Sequence, residues 1–539
     1  MVLRRPGALT REALVAAFAA ASLAALLLWA GPPGNDIAAH LYQRTLFLKH
    51  GFVLWNNFWY AGRYSFVTYS LLYYPLSAFL GIKVLALASV TVAALAFAVV
   101  IGREWGPAAR WSSRTFAVLW AGTVLSAAFP FALGAALALL ALWSLQQGKR
   151  GRFAALVVLA LAASPLAFLF LALVLAGLAI TRRPRRAELA LPAVVIGSAL
   201  LGEVVLMRLF PESGRFPYHP EQLVLALSFS LLGALMTRAA RNARPLLGLF
   251  LVYSLACVFS FAIPTDLGSN VERLRYAAIP LALLAVSIAG WRPLAVALPL
   301  LAVAGFWNVK PLIANYQRAA SDPAASVQYW QPAISYLHEH LGASYRVEVV
   351  DTLEHWPAVY FPEAGVPIVR GWYRQNDFPA NELLYDEELG RQAYQRWLRS
   401  LGVEYVVLSE APPDYSSRAE ARLLRSGASG LRPVLYSPRL TVYELPHATR
   451  VVTGPAGAAV SAMDATRLTL RVPAAGRYRV AVKFSPYWRT LQGCVSRAPD
   501  GMTRLTAFRA GRIDLEFKVN VHRGLEALTG LEPARFCRG

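Results

Sequence analysis

The residues best suited to chemistry sit in one stretch, 31–83, between the first apolar run and the next. Asp36, His40 and Arg44 recur every four residues, so a helix starting there carries all three on one face. A carboxylate in such a place can take a proton from a hydroxyl, and an arginine near it can hold an anion. Trp55, Trp59, Tyr60, Arg63, Tyr64, Tyr69, Tyr73 and Tyr74 follow. Aromatics at this density suit a membrane interface, stacking on a sugar ring, or the lining of an isoprenoid chain. A second cluster, Asp266, Glu272, Arg273 and Arg275, lies within 264–276, and two guanidiniums there suit a phosphate. Each group also has a plainer reading. Asp36 after Pro32-Pro33-Gly34 makes a good helix N-cap, and the second cluster makes a surface ion-pair loop. Glu203 with Arg208 reads as a charge pair at membrane depth or a functional group there. His219, between Tyr218 and Pro220, reads as a turn residue.

The elements that must position these groups follow from composition. Of 539 residues 56% are apolar and 16% charged, against about 25% charge in a typical soluble chain. Uncharged runs fill 12–309, whereas 310–539 has the pattern of a water-soluble protein. The first run, Leu14 to Ala30, lacks a small-x-small cleavage site and meets Gly31-Pro32-Pro33-Gly34, so it reads as an uncleaved first helix. Further spans are expected near 84–101, 115–129, 131–147, 153–163, 165–181, 188–209, 221–237, 245–263, 277–290 and 293–309. The pair around Ser164-Pro165 is short enough for a re-entrant hairpin. The resulting eleven segments put the two termini on opposite sides. The N-terminal tail and the short loops on its side together carry 17 basic residues, and those on the other side seven. That excess predicts a multi-pass protein of a bacterial plasma membrane, with its N-terminus cytoplasmic and 31–83 and the C-terminal part outside.

The net charge of +22 does not indicate a nucleic-acid partner. Arginine supplies 47 of 53 basic residues against six lysines, and much of the charge lies in the short loops that set topology. No GxGxxG, Walker loop, HExxH or GxSxG pattern is present, which argues against nucleotide, zinc and serine-hydrolase chemistry. The three cysteines form no CxxC and no Cys/His cluster.

The chain divides into a membrane part, 1–310, with its outer loop 31–83, an α/β part, 311–448, and a β-sandwich-like part, 449–539. In the second, helical spacing over Gln328–His340 and Leu389–Ser400 alternates with β-rich Tyr345–Val350 and Val403–Leu408. In the third, strands are expected at Arg467–Val472, Arg477–Phe484, Thr503–Phe508 and Arg512–Val519. Cys494 and Cys537 both fall here, and an oxidising outer face would favour a disulfide between them.

The first loop resembles that of the GT-C superfamily of integral-membrane glycosyltransferases. More closely, it is similar to bacterial YfhO-like and 6-pyruvoyl-tetrahydropterin-synthase-related membrane proteins. The resemblance rests on Asp36 directly after the first helix and on Asp36-Ile37-Ala38-Ala39-His40-Leu41-Tyr42-Gln43-Arg44. Trp55-Asn56, Tyr60-Ala61-Gly62-Arg63 and Tyr73 to Leu76 complete it, with weaker echoes at Leu401–Val407 and Phe484–Trp488. It implies transfer of a sugar from a polyprenyl-phosphate donor to a cell-envelope glycan or lipid acceptor on the outer face. Asp36 would be the general base, and His40, Arg44, Trp59, Tyr60, Arg63, Arg273 and Arg275 the substrate-binding residues. Many GT-C enzymes show two adjacent acids in this loop and Asn35-Asp36 supplies one, so no divalent metal or other cofactor is expected. The rival readings are a non-catalytic GT-C-like scaffold or lipid-glycan binder of an envelope-assembly complex, and, further off, a transporter.

Overall fold

Apolar runs of this length fold as helices because a chain without water must satisfy its own backbone donors and acceptors. The computed structural model, which describes residues 6–182, 186–212 and 214–529, has eight helical segments long and apolar enough to cross a membrane. They are Gly7–Ala30, Ile82–Ser126, Phe129–Gln146, Pro165–Arg182, Glu188–Leu209, Pro220–Thr237, Arg241–Ala262 and Leu294–Ala320. The protein is thus a polytopic α-helical membrane protein, with eight candidate spans where the apolar pattern predicts eleven. The difference lies in short helices. Arg110–Ala121 has 12 residues and follows a break at Gly106 inside the Ile82–Ser126 segment, while Arg150–Ala163 and Ala278–Ile288 have 14 and 11 residues. At about 1.5 Å per residue neither of the last two reaches across a core of about 30 Å.

Grouped by compactness, the chain forms two units: residues 1–37, 69–203 and 215–321, and residues 38–68, 204–214 and 322–539. In the first, helices approach closely where side chains are smallest. A Cβ on Gly248 would lie 2.2 Å from the Gly177 carbonyl oxygen, so the helices Pro165–Arg182 and Arg244–Ala262 cross nearly backbone to backbone. Phe97, Phe116 and Trp120 stack in series at 3.9 and 4.9 Å.

The second unit holds three sheets and a two-strand ribbon, Trp55–Asn56 with Arg63–Tyr64. A four-stranded sheet runs Arg346–Val349, Val403–Ser409, Leu440–Glu444, Arg432–Tyr436, its first pair parallel and the others antiparallel. Val347 also bridges Ile368 in parallel, so three segments end on one edge of this sheet. The helices Val327–His340 and Arg391–Ser400 precede the first two strands, close to the expected alternation. Farther along lie two four-stranded antiparallel sheets, whose strands include Arg467–Val472, Gly476–Lys483, Met502–Ala507 and Gly511–Phe517. Their inward residues, Leu468, Leu470, Val480, Leu505, Ile513 and Leu515 among them, share one core.

That core also takes in Trp55, Tyr64 and Phe210 from far upstream. The Trp55 ring stacks on Phe517 at 5.1 Å and meets Trp488 edge-on at 5.5 Å. Main-chain bonds join the same region: Asn57 N–H donates to Ala465 O, Ile368 N–H to Phe58 O, and Lys483 N–H to Ala61 O. This is why 38–68 folds with residues 322–539 although it lies between two membrane segments in sequence.

Candidate functional site

In the first unit the site begins at a break between helices. Ala127 adopts φ 50° between Thr123–Ser126 and Phe129–Gln146, which leaves the carbonyls of Leu125 and Ser126 available. Asn35 N–H and Asp36 N–H donate to these carbonyls at 3.3 and 3.1 Å. Gly34 makes the approach possible, because a Cβ there would lie 2.4 Å from the Val124 carbonyl oxygen. Asp36 is so held directly before the helix Ile37–His50.

The 3-10 helix Gly268–Ala277 reaches the same break: Tyr276 Oη donates to Ser126 Oγ at 2.8 Å. Arg273 on it pairs with Asp36, Nη2 to Oδ2 3.7 Å, the two side chains being 16% and 20% exposed. Burial opposes the charge of Arg273, but Tyr69, Asp36 and Tyr276 outweigh it and raise its pKa. The guanidinium also lies 5.6 Å from the centre of the Phe131 ring. Glu272 on the same helix is buried, with Arg275 Nη1 3.9 Å from its carboxylate. Burial is the main cause that pushes the Glu272 carboxyl up to about 7. The structure therefore gathers Asp36, Arg273, Arg275 and Glu272 from two loops far apart in sequence.

The other expected substrate-binding residues, His40, Arg44, Trp59, Tyr60 and Arg63, lie in the second unit, whereas Glu203 and His219 belong to the first. His40 is fully buried and Arg44 half-buried on the helix Ile37–His50. Trp59 is fully buried, and its Nε1 donates to Ala358 O at 3.0 Å. Tyr60 is buried, and its Oη donates to Gly371 O at 2.9 Å. Arg63 lies over the Tyr373 ring at 3.8 Å and donates to Glu212 at 3.2 Å and to Thr68 at 3.1 Å. Cys494 stands on the strand Gly493–Arg497, while Cys537 lies outside the described residues.

One expectation is corrected here. The sequence predicts no divalent metal, yet the fold brings Asp351, His355 and Asp414 together with one ligand atom each, all within 4.8 Å of one another. Carboxylate oxygens and an imidazole nitrogen form a donor set that divalent cations accept. They come from the carboxyl ends of two neighbouring parallel strands, and open α/β sheets commonly bind ligands at that edge. Residue 414 is too distant from 351 and 355 for a spacing motif, and the Asp-x-x-x-His of 351–355 is the only trace in the sequence. Arg374 reaches into the same cluster. It donates to Asp351, and its Nε lies 3.5 Å from Asp414. His355 Nδ1 sits 2.6 Å from Asp351 Oδ2. Burial alone would raise the Asp414 carboxyl, but His355, Arg374 and Ser416 together hold it below the usual range.

Behind this cluster Arg370 contacts Glu348 at 3.1 Å, Glu420 at 3.3 Å and Asp377 at 3.7 Å. All of these groups are buried. Burial first, and the charge of Glu420 second, push the Glu348 carboxyl up against the opposing charge of Arg370.

No family model and no curated protein matches the chain. Among solved structures, arabinofuranosyltransferase AftD from Mycobacteria aligns over 86% of this chain and 41% of its own, with 16% identity and a TM-score of 0.45. The archaeal oligosaccharyltransferase AglB from Archaeoglobus fulgidus, in complex with an inhibitory peptide and a dolichol-phosphate, aligns over 74% of this chain and 69% of its own. There the identity is 12% and the TM-score 0.34. The chain spans about two fifths of the length of AftD.

Proposed function

We propose that the protein is a GT-C-type membrane glycosyltransferase that takes its sugar from a polyprenyl-phosphate donor. The acceptor is a cell-envelope glycan or lipid on the outer face of the plasma membrane. The observation that carries this reading is the pairing of Asp36 with Arg273, beside Arg275, at the break after Ser126. Transfer needs a base for the acceptor hydroxyl and positive charge for the departing phosphate, and this group of residues holds both.

In the proposed reaction the acceptor oxygen attacks the anomeric carbon while Asp36 takes its proton. The bond from that carbon to the phosphate oxygen breaks, and polyprenyl phosphate leaves with the electron pair. Arg273 turns from Asp36 to the phosphate, joined by Arg275, which frees the carboxylate and stabilises the leaving group in one movement. Trp59, Tyr60 and Arg63, buried on partners of their own, frame the second unit in this reading. The scaffold reading has one observation in its favour, since an Asp36–Arg273 pair could equally serve as a latch between two loops.

Asp36→Asn separates the two. Asn retains the shape and the capacity to cap a helix, at a cost of a few tenths of a kcal/mol. It cannot accept a proton, and losing a positioned base costs about 100- to 10,000-fold in rate. Transfer from a polyprenyl-phosphate sugar, measured in nanodiscs at equal protein, should collapse in this variant. Near-normal transfer would remove Asp36 as the base.

A further inference from the structure

The helix Arg418–Arg425 buries Ala419, Glu420, Leu423 and Leu424. That leaves Arg418, Arg422 and Arg425, spaced by four and three, on its exposed face. They form one wall of an open cleft of about 430 Å³, whose other residues include Tyr385, Glu387, Pro413 and Tyr415. Glu387 is the one carboxylate residue lining it, against three guanidiniums.

Some other exposed arginines of this unit are matched by acids, Arg432 by Glu444, Arg467 by Glu516 and Arg512 by Asp514. Among the described residues no carboxylate pairs with Arg418, Arg422 or Arg425. Arg422 and Arg425 reach main-chain oxygens only, of Glu387 at 3.5 Å and of Ser409 at 3.3 Å. Their donor forks are thus left largely for a ligand, and a planar fork matches a carboxylate bidentately.

The aromatic side of the cleft adds a second requirement. Tyr415 is 43% exposed, and its ring meets that of Tyr385 at 6.0 Å and 64°. Tyr385 is itself fixed, its Oη donating to the buried Asp377 at 2.8 Å. A free inorganic anion would use the arginines and leave the tyrosine surface idle. A sugar ring bearing a carboxylate uses both.

We propose that this cleft binds an acidic sugar residue, its carboxylate on Arg418 and Arg422 and its ring against Tyr415. The inference deepens the glycosyltransferase reading by making the acceptor glycan acidic, and it rests on that reading for the choice of a saccharide.

The test is calorimetric titration of the full chain in phosphatidylcholine nanodiscs, without any sugar donor. The probes are digalacturonate, its neutral digalactose counterpart and inorganic phosphate. Digalacturonate should bind about tenfold or more tighter than digalactose, as expected when one charge-assisted contact is gained. Arg422→Ala should lose about tenfold, and Arg422→Lys should recover only part, since lysine keeps the charge but not the fork. Tyr415→Ala should weaken digalacturonate and leave phosphate unchanged. Equal binding of the acidic and neutral disaccharides, or no loss in Arg422→Ala at an unchanged melting temperature, overturns the proposal. Phosphate binding as tightly as digalacturonate, with Tyr415→Ala silent, makes this a simple anion site and also overturns it. Asp36→Asn must leave the titration unchanged, so a failure of the catalytic reading and a failure of this cleft give different results.

Discussion

The Asp36 carboxylate meets the Arg273 guanidinium at 3.7 Å, and both are anchored to one residue, Ser126. Asp36 bonds its carbonyl through the main chain, and the helix that bears Arg273 bonds its hydroxyl through Tyr276. If this pair is catalytic, Arg273 acts on the leaving phosphate rather than on the fold. Arg273→Ala should lower transfer about 100-fold or more, the usual cost of one removed donor at a site of developing charge. Arg273→Lys should fall between, keeping the charge and losing the fork. Transfer rates at equal membrane abundance decide it, and wild-type rates in both variants would leave only the latch.

Glu272 predicts a pH dependence for the same loop. Its folded pKa, about 7, stands above the ordinary carboxyl value, so the folded state binds the proton more tightly than the unfolded state. The stability it contributes is full below about 4.5 and is lost as pH rises through about 7. The whole change is on the order of 3 kcal/mol. Thermal unfolding in detergent should show a melting temperature that declines from pH 5 to pH 8. Glu272→Gln, which stays neutral, should flatten that decline. An unchanged slope in the Gln variant would mean that another group sets it.

Much of this architecture can be read locally. The strand Arg467–Val472 has the bounds that its alternating pattern predicts, and Val403–Ser409 and Val327–His340 differ from expectation by one residue. Period and apolar length are properties of a short window, so a short window suffices to find them. The span count fails where length matters: Ala278–Ile288 is apolar enough but too short. The candidate site is legible in part. Asp36 and Arg273 are each visible as chemistry-bearing residues, but their pairing depends on the turn at Ala127, which no local pattern announces. The meeting of Asp351, His355 and Asp414 is hidden for the same reason, since parallel strand order alone brings their loops together.

Gly34 tests whether the position of Asp36 depends on this close approach. A Cβ there would lie 2.4 Å from Val124 O and 2.6 Å from Ala127 N, both main-chain atoms that cannot swing aside. Gly34→Ala must therefore push the segment away from the break, at about 1–3 kcal/mol, and carry Asp36 with it. A displacement near 1 Å can cost about 100-fold in rate. The expected result is a large loss of transfer with a modest loss of melting temperature. A variant that melts earlier yet transfers normally would show that the position of Asp36 does not matter.

The last prediction concerns Trp55, which belongs by sequence to a loop between membrane segments and by structure to the core of the C-terminal sheets. Its indole is 1% exposed, stacked on Phe517, edge-on to Trp488 and Tyr64, with Nε1 donating to Asn57 Oδ1 at 2.8 Å. Truncating a buried tryptophan typically costs about 3–5 kcal/mol, a large share of what holds a domain folded. Trp55→Ala in the full chain should therefore make 322–539 susceptible to limited proteolysis, although the change lies far upstream. A polypeptide of 322–539 alone lacks Trp55, Tyr64 and Phe210 together, and leaves a hollow in the same core. It should melt well below the full chain or show no cooperative transition by near-ultraviolet circular dichroism. A fragment that melts as the full chain does, with Trp55→Ala equally resistant to protease, would show that the upstream residues cover this core without supporting it. The opposite result would mean that the two upstream segments are structural parts of the second unit, and that cutting the chain near residue 310 divides a folded core.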